Sequence, residues 1–91
     1  MPDDSADWVV ETKVATNITI AANAFGDSAT DVSKTGYTPI AIIGFYGSNS
    51  YANPCRWYIS GNTANVKFYN TASSALSTVA PTLYILYRKN Y

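Results

Sequence analysis

The sequence predicts an all-β fold, a small antiparallel β-sandwich of jelly-roll type built from six or seven short strands. Three observations carry that expectation. Apolar residues alternate with polar ones in runs of five to eight, the period of a half-buried strand. Gly, Asn, Ser and Pro cluster between those runs. No stretch combines a helical period with helix-favouring composition; at most Thr71 to Leu76 makes one short turn.

Residues 1 to 7 are small, polar and acidic, and read as a frayed lead-in or the junction to a longer parent protein. Residues 8 to 91 then form one domain. From Trp8 to Val14 the alternation places Trp8, Val10 and Val14 on one face and Glu11 and Lys13 on the other. Asn17 to Ala21 puts Ile18 and Ile20 together. Asn23 to Asp31 reads as a loop turning at Phe25-Gly26-Asp27-Ser28, with a short strand through Thr30, Val32 and Lys34 before the break at Thr35-Gly36.

Pro39 to Tyr46 is apolar on both faces, which predicts a central strand covered on both sides. Gly47 to Pro54 is the longest loop. Cys55 to Ser60 alternates again, with Cys55, Trp57 and Ile59 on one face and Arg56 and Tyr58 on the other. Ser60-Gly61-Asn62 is a tight hairpin turn that returns the chain through Asn65 to Asn70 with Val66 and Phe68 inward. Asn70 to Ala75 is a further turn cluster. Pro81 opens a last strand, Thr82 to Tyr87, again apolar on both faces and stopped by Arg88-Lys89.

Composition excludes several functions. The chain has 91 residues and no histidine, which removes His-bearing zinc sites and Ser-His or Cys-His catalytic pairs. Its single cysteine, Cys55, closes no intramolecular disulfide and reads as a small buried hydrophobe, with an intersubunit bridge as the alternative. Six basic residues balance six acidic ones, so no cationic surplus marks a nucleic-acid binder. No apolar run reaches the length of a membrane-spanning helix. The start, Met1-Pro2-Asp3-Asp4, does not resemble a secretory signal.

The charges are segregated: residues 1 to 31 hold all six acids against Lys13 alone, and the remainder holds five bases and no acid. Chance in a weakly charged chain and a head-to-tail attraction between subunits both account for it. No side-chain carboxylate beyond Asp31 remains for acid–base work, so the chain reads as no enzyme. Charged residues make up 13% of the chain, about half the usual ~25%. Two strands with apolar residues on both faces need a second cover, and with no helices the source is another subunit. A homo-oligomer is expected, the alternative being a monomer that exposes tyrosine rings whose hydroxyls tolerate water.

Gly36-Tyr37-Thr38-Pro39-Ile40 leading into an aliphatic strand, the Ser60-Gly61-Asn62-Thr63 hairpin, Asn70 to Ala75, and the closing Leu83-Tyr84-Ile85-Leu86-Tyr87 form an ordered pattern. Over about Thr35 to Arg88 it resembles the C-terminal receptor-binding heads of tail-fibre proteins from phages and prophages. The resemblance implies a trimeric β-sandwich knob, located in the virion tail after assembly in the bacterial cytoplasm. It also implies attachment to a bacterial surface saccharide, with no cofactor. The alternatives are a structural cap that trimerises a fibre, or an isolated carbohydrate-binding module.

Saccharide recognition uses flat aromatic faces and short polar groups. Tyr46, Asn49, Ser50, Tyr51 and Asn53 in or beside the longest loop offer that mixture, and Arg56 and Tyr58 extend it. Packing of Tyr46 and Tyr51 onto the sandwich is the competing role. Trp57 reads as core, and Asn62 and Asn65 as turn residues. Asp27 and Asp31 read as a solvated turn, lacking the ligand number of a calcium loop. Asn17-Ile18-Thr19 matches a glycosylation acceptor but lies within a strand.

Overall fold

Short alternating runs broken by Gly, Asn and Pro become eight strands in the computed structural model, which describes residues 6–47 and 49–90. They are β1 (Trp8–Val14), β2 (Ile18–Ile20), β3 (Phe25–Asp31), β4 (Tyr37–Tyr46), β5 (Ala52–Ser60), β6 (Thr63–Asn70), β7 (Leu76–Val79) and β8 (Thr82–Lys89). All pairings are antiparallel. One sheet has the order β1-β8-β4, a second β3-β6-β5, and β2 pairs with β7 as a ribbon. First pairs with last, second with seventh and third with sixth, so the chain doubles back like one long hairpin. β4 and β5 break this nesting by joining β8 and β6.

The inward residues of both sheets and of the ribbon form one core, as in a small β-sandwich. Ile42, Leu83, Ile85 and Tyr87 come from the first sheet, Ala64, Val66 and Phe68 from the second, and Ile20, Leu76 and Val79 from the ribbon. The Tyr87 hydroxyl donates to the Val32 carbonyl at 2.6 Å, inside that core. Asn70, fully buried, donates from Nδ2 to the carbonyls of Ile20, Ala21 and Ser74 and accepts from the Ala72 amide. It thereby ties the Asn70–Ala75 turn to the end of β2. The Asn17 Oδ1 accepts from the Val79 amide at 2.9 Å, so this asparagine pins the ribbon. Among the described residues no buried side-chain polar atom lacks a partner, as a stable interior requires.

Several expectations change. Phe25 to Asp31 is a strand, β3, and not a loop. Its Gly26 faces the ribbon so closely that a Cβ there would stand 2.7 Å from Ile20 Cγ1. The glycine that reads as a turn signal is a close approach between strands. Leu76 to Val79 adds an unforeseen strand, held against β2. β4 is an edge strand of its sheet rather than a central one; the central strand with two apolar faces is β8. Trp8, Val10 and Val14 do share a face, but they point outward while Val9, Glu11 and Lys13 are half-buried.

Residues 1 to 5 of the expected lead-in lie outside the described residues. Ala6 and Asp7 are held, their carbonyls accepting from the Tyr37 hydroxyl and the Lys89 amide. The hairpin after β5 is as expected: Gly61, at φ 60°, and Asn62 are the two loop residues between paired Ser60 and Thr63.

Burial first, then the carboxylates of Glu11 and Asp31, push the Tyr87 phenol above its ordinary value. Its contribution is therefore complete below about pH 10, the unfolded value, and is lost as pH rises through the higher folded value. Tyr87→Phe strands a buried carbonyl and costs about 1–3 kcal/mol at neutral pH. Urea unfolding across the alkaline range checks both effects. The alkaline loss of stability is expected to shrink in the variant, and an unchanged alkaline slope would contradict the assignment.

Candidate functional site

The outer face of β3-β6-β5 gathers residues from three strands by register alone. Phe25, Tyr69 and Asn53 form one row, and Asp27, Lys67 and Arg56 the next. Ala29, Asn65 and Tyr58 form the third. The two-residue turn sets Arg56 opposite Lys67, and a bulge at Cys55, between Pro54 and Arg56, then shifts the register so that Asn53 stands opposite Tyr69. Bulges re-aim side chains in this way.

Rings and cations alternate across the face. The Arg56 guanidinium lies 5.5 Å from the Tyr58 ring centre, and the Lys67 ammonium 5.1 Å from that of Phe25. Phe25 meets Tyr69 edge to face at 4.9 Å. The next two rows enclose a shallow hollow of about 170 Å³, with Asp27, Arg56, Asn65 and Lys67 as polar lining and Tyr58 as a wall. Among the described residues neither Arg56 nor Lys67 is within ion-pair distance of a carboxylate. Both cations therefore keep hydrogen-bonding capacity for a ligand. At the far end of β3, the Asp31 carboxyl accepts from the Ser33 amide at 3.0 Å. The Ser33 backbone bond, then its side chain and Lys13, hold that carboxyl below its usual value.

The loop residues divide. Asn53, Arg56 and Tyr58 share this outer face. Tyr46 does not: it ends β4 on the outer side of the other sheet, opposite Thr82. Asn49 spends its side chain on the turn, Oδ1 accepting from the Tyr51 amide while its carbonyl accepts from Ala52. Ser50 is exposed in that turn. The Tyr51 carbonyl accepts from the Thr71 amide and from Asn53 Nδ2, which fixes the loop and leaves the ring half exposed.

Several expectations about neighbouring residues change. Cys55 is exposed rather than buried, because the bulge takes it out of the inward alternation. Trp57 does face the core side and meets Phe45 edge to face at 5.2 Å, yet 46% of it remains exposed. Asn65 and Asp27 are strand residues of the hollow rather than turn residues. Lys67 and Asn65 were legible in principle: with Val66 and Phe68 inward and a two-residue turn, they must oppose Arg56 and Tyr58. Among the described residues no three His, Cys, Asp or Glu side chains gather as metal ligands.

Comparison with protein families, with curated proteins and with solved structures finds no match to this chain.

The bulge makes a direct prediction. Cys55 should react with a thiol reagent such as Ellman's in the native protein at a rate close to that of the unfolded chain. A thiol that reacts only after denaturation would place Cys55 back in the core.

Proposed function

We propose that this chain is a non-catalytic attachment domain of the phage-fibre head kind, taking a saccharide on the outer face of β3-β6-β5. The single observation that carries the reading is the registered cluster of Arg56, Tyr58, Asn65 and Lys67 around a shallow, open hollow. A tyrosine ring gives C–H contacts to a pyranose face, while amide, guanidinium and ammonium groups donate to its hydroxyls. A hollow this small binds weakly, so attachment relies on several copies acting together.

The three-fold assembly, jelly-roll wrap and virion location implied by the resemblance belong to this proposal. The nesting of β1 with β8, β2 with β7 and β3 with β6 supports the wrap. The candidate site moves from the Tyr46–Tyr51 loop to the sheet face, keeping Asn53, Arg56 and Tyr58. A second reading, a structural fibre cap that binds no sugar, is favoured by the apolar outer side of β1-β8-β4.

A glycan array, followed by titration of the best saccharide, separates the readings. Arg56→Ala and Tyr58→Ala should each weaken binding by roughly tenfold, or about 1.4 kcal/mol, while Tyr51→Ala, in the loop, leaves it unchanged. A blank array with folded, assembled protein supports the cap. Loss of binding in Tyr51→Ala alone would return the site to the loop.

A further inference from the structure

The outer side of β1-β8-β4 is the apolar counterpart of the polar face just described. By register it carries Trp8, Val10 and Val14 from β1 and Tyr84 and Leu86 from β8. Thr12, Thr38 and Thr82 are set among them. Two bulges in β4, at Ile40 and Ile43, each add an isoleucine beside Ala41 and Gly44. Ile43 is 54% exposed and Tyr46, at the end of the same strand, 71%. Tyr84 packs beside Gly44, its ring atom Cδ1 3.6 Å from where a Cβ would be, an ordinary contact distance.

The exposed parts of the large apolar side chains on this face total on the order of 700 Å². That exceeds the 300–600 Å² typical of the largest patch on a monomer and approaches the ~800 Å² each partner gives to a standard interface. The formal charge on the face is Arg88, which lies over the Trp8 ring at 5.7 Å at one end of it. With that cation at one end, the middle of the face, around Val10, Leu86 and Ala41, presents no charge to an identical face. Among the described residues the opposite outer face is no match for it, since it presents Asp27, Lys67, Arg56 and Asn65. Association edge to edge along β4 is disfavoured by its two bulges, which interrupt a regular edge ladder.

We propose that the outer face of β1-β8-β4 is covered by the same face of one or two further copies of this chain, all turned toward a common axis. The proposal is independent of the saccharide reading, since it uses the opposite side of the sandwich. Copies joined this way turn their Arg56–Tyr58 hollows outward, away from the contact.

Sedimentation velocity over micromolar concentrations tests it. The chain is expected to sediment as a dimer or trimer, and Ile43→Glu to weaken that association at least tenfold with an unchanged circular dichroism spectrum. Lys67→Glu, on the opposite face, should leave it intact. Val10→Lys is the second variant should Ile43→Glu fail to fold. A folded monomer throughout the concentration range overturns the proposal. So does an oligomer that persists in both face variants or dissociates with Lys67→Glu.

Discussion

A strand with apolar side chains on both faces cannot be satisfied by one layer, and β8 is such a strand. Leu83, Ile85 and Tyr87 are fully buried in the core, while Tyr84 and Leu86 stand on the other side of the sheet. β8 also pairs with β1 and β4 along its length, so its position cannot change without undoing the first sheet. The total exposed area, 5419 Å², is close to the ~5200 Å² expected of a monomer of this length. What departs from the ordinary is therefore the character of the exposed surface and not its extent.

The two outer faces divide the chemistry. One is aliphatic and aromatic, with Arg88 at its end; the other alternates rings with Arg, Lys, Asn and Asp around a hollow. The inward rows of both sheets are occupied by the core, so the site can be built only from outward rows, and strand register decides which residues meet. That constraint explains why the candidate site is a sheet face and the segment between β4 and β5 serves mainly to lead the chain from one sheet to the other. Asn49 and the Tyr51 carbonyl hold this loop with hydrogen bonds to neighbouring backbone.

The fold class, the inward setting of Val66 and Phe68 and the Gly61-Asn62 turn were legible because each rests on local alternation or local turn chemistry. β3 was not. Phe25-Gly26-Asp27-Ser28 has turn composition, and it is a strand because β6 offers it a strongly patterned partner and because Ile20 needs the space a glycine leaves. The direction of Trp8, Val10 and Val14 was equally hidden, since alternation separates two faces without saying which one meets the core. Asp27 entered the hollow only through the β3–β6 register, a pairing between segments about forty residues apart. Cys55 was misplaced by a bulge, which leaves no mark on the period of two.

The central claim is that the apolar face is closed by further copies of the chain. Trp8 lies on that face and Trp57 does not, so a Trp57→Phe variant makes Trp8 the sole tryptophan reporter. Acrylamide quenching of its fluorescence over a dilution series is the direct measurement. The account predicts a shielded Trp8 in concentrated protein that becomes freely quenched as the sample is diluted. A Trp8 that is equally quenched at every concentration would contradict it.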